Sequence, residues 1–187
     1  MRRWMAWILA LLLCMGAAAE GLGSLSDYLA AVRPAALGAE GDWTREAGGR
    51  LLSVRPSKDA LVTLCAEGDA LLAVSVTAPK GEICERLARL ALTPGGWIGE
   101  AKLQAMLEDG SSGTVNGTRL TRLEGELREG VCLCAEEGLE DLVWQPLHGG
   151  EFRHRSPECS GMDVPRLISS EAADALGRPP CSTCMGP

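Results

Sequence analysis

The chain has 187 residues, of which 46% are hydrophobic and 23% charged, with a formal net charge of −7. That length holds one domain of ordinary size and a small module beside it. The acidic balance repels nucleic acid and anionic envelope polymers at long range, so nucleic acid is not an expected partner.

Met1-Arg2-Arg3 is a basic start, Trp4 to Met15 is an apolar run, and Ala17-Ala18-Ala19 precedes Glu20. This order predicts a secretory signal peptide over residues 1–19, cleaved after Ala19, and hence an exported chain. The apolar run breaks at Gly16 and is short for a spanning helix, and no later stretch approaches a membrane span. Removing two arginines leaves sixteen basic against twenty-five acidic residues, a mature charge of −9. Removing Cys14 from the eight cysteines leaves seven, which cannot all pair internally.

Residues 20–140 read as an α+β domain. Ser26 caps a short helix over residues 26–32 that stops before Pro34, and a Gly- and Ala-rich loop follows to Gly49. A strand near residues 51–54 precedes the clearest hairpin of the chain, Leu61–Ala66 and Ala70–Thr77 around Glu67-Gly68-Asp69. Two amphipathic helices come next, one with Ile83, Leu87, Leu90 and Ala91 on its apolar face, the other with Leu103, Met106 and Leu107. They are expected to cover one side of an antiparallel sheet. Thr114-Val115, an Asn116-Gly117 turn, and segments over 118–124, 126–136 and 139–144 complete a meander. Cys65, Cys84, Cys132 and Cys134 read as buried thiols or as one or two structural disulfides. Cys132 and Cys134 share one face of a strand and lack a nearby His.

Residues 141–187 carry the specific chemical signal. Four residues separate His154 from Cys159 and two separate Cys181 from Cys184, and the segment between the pairs can close a four-ligand site. One imidazole and three thiolates match the donor set and number of a structural zinc site, which leaves no position for a reactive water. Disulfides remain open for these cysteines in an exported chain, as does a redox Cys-x-x-Cys. Leu142–Gln145, a turn over 147–150 and Glu151–His154 read as a hairpin that places His154 near the end of its second strand. Between the ligand pairs Ser169 caps a helix, Glu171 sits in its first turn, Gly177 suits its left-handed stop, and Arg178-Pro179-Pro180 prevents its continuation. Arg153, Arg155, Arg166 and Arg178 could form a local basic patch, with solvated surface arginines as the plainer reading.

Phe152-Arg153-His154, Cys159-Ser160-Gly161-Met162, Glu171-Ala172 and Pro180-Cys181-Ser182-Thr183-Cys184 resemble a small module near the C-termini of secreted proteins of Gram-positive bacteria, some of them extracellular nucleases. The layout is also similar to the zinc domain of the bacterial methylphosphotriester DNA repair protein. That domain uses four cysteines, one of them the methyl acceptor, whereas the first ligand here is His154, so methyl transfer does not carry over. The resemblance covers the last fifth of the chain and implies nothing for residues 20–140.

The leading expectation is a secreted, non-enzymatic protein in which structural Zn2+ on His154, Cys159, Cys181 and Cys184 fixes a binding surface for an extracellular or cell-envelope ligand. The alternative is an extracellular, nuclease-like hydrolase with residues 20–140 as its catalytic part. An exported thiol oxidoreductase working through Cys132 and Cys134 is the third.

Overall fold

The structure, a computed structural model, describes residues 21–187 except 138, 148, 149, 160, 161 and 187. The expected signal peptide, residues 148–149 of the expected hairpin turn, and Ser160-Gly161 lie outside the described residues. The fold is α+β, as expected.

Helix α1 (Leu25–Ala31) has its cap two residues earlier than the sequence suggests. Ser24, not Ser26, is its cap, accepting from the Asp27 amide at 3.2 Å. Ser26 is occupied elsewhere, since its amide and hydroxyl both donate to Asp69 in the turn of the next hairpin. Strands β1 (Thr44–Glu46), β2 (Leu51–Ser57), β3 (Ala60–Glu67) and β4 (Ala70–Pro79) form a continuous antiparallel meander. Helices α2 (Glu82–Leu92) and α3 (Glu100–Asp109) then carry the chain across the sheet to its far edge. From there β5 (Gly113–Val115), β6 (Thr118–Glu124) and β7 (Arg128–Ala135) return, so that β7 pairs with β4 and the seven strands run in the order β1-β2-β3-β4-β7-β6-β5.

This order corrects the expectation that the segment over 139–144 extends the meander. Both edges of β7 are already paired, to β4 and β6, so no place beside it remains. The chain instead leaves the sheet, and β8 (Leu142–Gln145) pairs with β9 (Arg166–Ser169), a strand the sequence reading missed. Helix α4 (Ser170–Ala175) follows with Ser169 as its cap, accepting from Ala172 at 3.2 Å, and with Gly177 in the left-handed region at φ 67°.

Two cores result, one on each face of the sheet. The first is closed by α1, α2 and α3. Cys84, Leu87, Ala88, Ala91 and Leu92 recur at helical spacing on the buried side of α2. The apolar face expected there is therefore rotated: Leu87 and Ala91 point inward, but Ile83 is 46% and Leu90 39% exposed. Tyr28 ties α1 to α2 by donating to the Ala91 carbonyl at 2.9 Å, and its ring stacks on Trp97.

The second core sets Leu51, Cys65, Ala73, Cys132 and Cys134 of the sheet against Val143, Leu167, Ile168, Ala172 and Ala173 of the tail. A polar row across the sheet, Ser53, Thr63, Ser75 and Cys132, is buried under it. Its role follows from the geometry of β9. In an antiparallel strand alternate amides point away from the partner. Those of Leu167 and Ser169 are satisfied by Ser75 Oγ at 3.2 Å and Cys65 Sγ at 3.1 Å. Gly130 lets the tail come this close, because a Cβ there would collide with Val164.

Candidate metal centre

His154 is positioned from its backbone. The hairpin expected over residues 142–154 shrinks to a single bridge, in which Trp144 and His154 exchange hydrogen bonds at 2.7 and 2.8 Å. β8 is thus the middle of three segments, with β9 on its other side, and His154 is held only 3% exposed. Its neighbour Arg153 makes the second tie. The Arg153 amide donates to Pro179 O at 3.0 Å and the Cys181 amide donates to Arg153 O at 2.9 Å. This short parallel bridge draws the Arg178-Pro179-Pro180 stretch alongside and delivers Cys181 next to the imidazole. Proline suits the place, since the stretch has an extended backbone and Pro180 need not donate.

The remaining candidate ligands come from turns. Cys159 lies at the end of a turn in which its amide donates to Ser156 O at 3.3 Å, and Cys184 lies in one closed by Met185 N–H on Cys181 O at 2.9 Å. The outcome is that one ligand atom from each of His154, Cys159, Cys181 and Cys184 lies within 4.8 Å of all the others. Cys159 Sγ and Cys181 Sγ are 4.0 Å apart, and Cys184 Sγ is 3.7 Å from His154 Nδ1. A tetrahedron with metal–sulfur bonds of about 2.3 Å has edges of about 3.8 Å. Two of the six donor–donor distances are close to that edge and all lie within 4.8 Å, so the cluster could hold a metal ion.

The local electrostatics favour the ligating forms. The Thr183 amide, and after it the Cys184 amide, bring the Cys181 thiol down to about 7. The Arg155 amide donates to Cys184 Sγ at 3.3 Å, a contact that suits a thiolate. Burial lowers the His154 pKa, so the imidazole is neutral and keeps a lone pair for a metal.

The four arginines expected near the site do not form a patch. Arg153 donates to Ser170 O and pairs with Asp174, which fastens the ligand segment to α4. Arg178 donates to Gly150 O. Arg166 is buried against Gln145 and Glu46, and Arg155 alone of the four is exposed. Sequence reasoning anticipated the pairing of the Trp144 segment with the His154 segment as a longer hairpin, and missed the backbone bridge between Arg153 and the 179–181 stretch, which no residue-type signal marks.

The cysteines of the sheet have a different character. Cys65, Cys84, Cys132 and Cys134 are all free and buried. Cys84 is in the first core and the other three are in the second, and Cys65 and Cys134 both register with Ala73, so a full strand separates them. Two strand spacings of about 4.8 Å exceed the reach of a disulfide. Burial pushes Cys65 up to about 11, Cys84 and Cys132 to about 12, and Cys134 to about 11. Thiols so disfavoured as anions are poor nucleophiles and poor redox centres.

No protein-family model, no curated protein and no solved structure matches this chain.

Proposed function

We propose that this is a secreted, non-enzymatic protein whose C-terminal module holds structural zinc, and that the module serves a binding role at or outside the cell surface. The observation that carries this reading is the convergence of one imidazole and three sulfurs within 4.8 Å. Four protein donors complete a zinc tetrahedron and leave no coordination position for water or substrate, which is the mark of a structural rather than a catalytic site. His154, Cys159, Cys181 and Cys184 would hold the ion, and the ion would supply a cross-link between the segment after β8 and the C-terminal turn. Export is supported by the basic, apolar and small-residue order of residues 1–19. Among the described residues no helix is long and apolar enough to cross a membrane.

The test is elemental analysis of the chain from Glu20, purified without chelator, beside a count of free thiols. One zinc per chain, lost in His154→Ala, is the expected result. Absence of metal together with disulfides among Cys159, Cys181 and Cys184 would overturn it. Nucleic-acid hydrolysis that survives Cys184→Ser would replace the binding role with that of a hydrolase.

A further inference from the structure

The tail covers only the middle of the second face of the sheet. Toward the β1 edge it leaves a cleft of about 350 Å³, a volume within the range of small-molecule sites. None of the four metal-ligand candidates lines it.

Four cations line this cleft, Arg55, Lys58, Arg128 and Arg166, in a chain whose formal charge is −7. Arg166 is the best defined of them. It is only 8% exposed, and its Nε donates to Gln145 Oε1 at 2.8 Å, which fixes the plane of the guanidinium. Its two terminal nitrogens both reach the same oxygen, Glu46 Oε2, each at 3.4 Å. That is the long limit of a hydrogen bond and not the paired contact of two nitrogens on two oxygens that a guanidinium fork makes with an oxyanion. Glu46 stands on the exposed edge strand β1.

The backbone around Arg55 is an independent feature. Val54 pairs with Val62 but Ser57 pairs with Ala60, so β2 carries one extra residue between them and bulges where Arg55 stands. Bulges bend a strand and re-aim its side chains, and they recur beside binding sites. Across the cleft the other ion pairs are loose: Arg128 to Asp59 at 3.8 Å and Lys58 to Asp59 at 3.9 Å. The lining also offers the hydroxyl-bearing residues Thr44 and Ser53 and the carboxylate of Asp42.

We propose that this cleft binds a small hydroxylated compound through an oxyanion, a carboxylate or a phosphate, which takes the guanidinium fork of Arg166, with Arg55 closing over it from the bulge. The carboxylates of Asp42 and Asp59 accept from the hydroxyls of the same ligand. A sugar acid or a sugar phosphate is the simplest compound with both groups. The inference does not depend on the metal centre.

Calorimetric titration of the mature chain with glucuronate, glucose 6-phosphate and glucose tests it. We expect saturable binding of at least one of the two anionic sugars, about tenfold or more tighter than glucose, the loss that removal of a bidentate charged contact entails. Which of the two binds separates a carboxylate from a phosphate ligand. Arg166→Lys keeps the charge but loses the fork and should weaken binding about tenfold. Arg55→Ala, at an exposed position, should weaken it without altering the unfolding temperature. Failure of both anions to saturate at tens of millimolar overturns the proposal, as does binding indifferent to Arg55→Ala.

Discussion

Trp144 and His154 exchange both backbone hydrogen bonds, at 2.7 and 2.8 Å, while Trp144 also registers with Leu167 on its other side. One residue thus connects the candidate metal centre to the strand that lies across the sheet. Closing the ligand cluster holds the His154 segment against β8, and β8 with β9 closes the second core. Chelation should therefore loosen the tail and expose the indole of Trp144, now 7% exposed. We expect a red shift of tryptophan emission on chelator addition, reversed by zinc and absent in Trp144→Phe. Zinc at a hundred times its dissociation constant should stabilise the fold by about 2.7 kcal/mol. A chelator that leaves both the emission and the unfolding temperature unchanged would separate the cluster from the fold.

The thiols divide into two classes that labelling can count. Cys65, Cys84, Cys132 and Cys134 are buried, with pKa values pushed to about 11 or 12. At pH 8 their thiolate fractions are about one in a thousand or less, before burial restricts access further. Cys181, brought down to about 7, is mostly thiolate at that pH. Iodoacetamide at pH 8 should modify only Cys159, Cys181 and Cys184 in the metal-free folded protein, none with zinc bound, and all seven cysteines in denaturant. Modification of Cys132 or Cys134 in the folded chain would revive the oxidoreductase reading.

What could be read from the residues follows from the range of the interactions that decide each feature. The α4 helix was recoverable because Ser169 and Gly177 act on amides and carbonyls within one turn. The β3–β4 hairpin was recoverable because Glu67-Gly68-Asp69 is a local turn between two apolar runs. The His/Cys cluster that could hold a metal was recoverable because donor type and spacing are written in the residues themselves. By contrast β9 is four residues long and has its partner about twenty residues away, and half of its amides are satisfied by Ser75 and Cys65 from strands far earlier in the chain. The outward turn of Ile83 and Leu90 was equally hidden. Two apolar stripes fit α2, and only the position of β4 and β7 beneath it selects the one through Cys84 and Leu87.

The hydroxyl of Ser75 should matter out of proportion to its size. It accepts from the Leu167 amide at 3.2 Å and from the Cys132 thiol at 3.3 Å, inside the second core. Ser75→Ala keeps the volume but strands the Leu167 amide without an acceptor. The expected cost is about 1–3 kcal/mol, the penalty of a buried unpaired donor. Equilibrium denaturation measures it, and Ser53→Ala is the control, because Ser53 bonds only the neighbouring Thr63 hydroxyl among the contacts described. Equal, small losses in the two variants would mean that β9 does not lean on Ser75.

Glu67 at the end of β3 offers a pH-dependent test of how the tail docks. Burial first, and then the carboxyl of Glu171 in the first turn of α4, raise its pKa, while Ser169 and Arg50 act in the opposite sense. A carboxyl whose pKa is higher folded than unfolded contributes stability that is complete below the unfolded value, about 4.3, and is lost as pH rises through the folded value. Glu171 therefore opposes ionisation of Glu67 at the junction of sheet and tail. Glu67→Gln should be the more stable protein at pH 7, by about 0.3 kcal/mol because the site is exposed and screened by solvent, and the advantage should vanish below about pH 4. Denaturation midpoints of both proteins across that range decide the matter. A stability difference that is the same at pH 4 and pH 7 would show that the facing carboxylates do not oppose docking of α4.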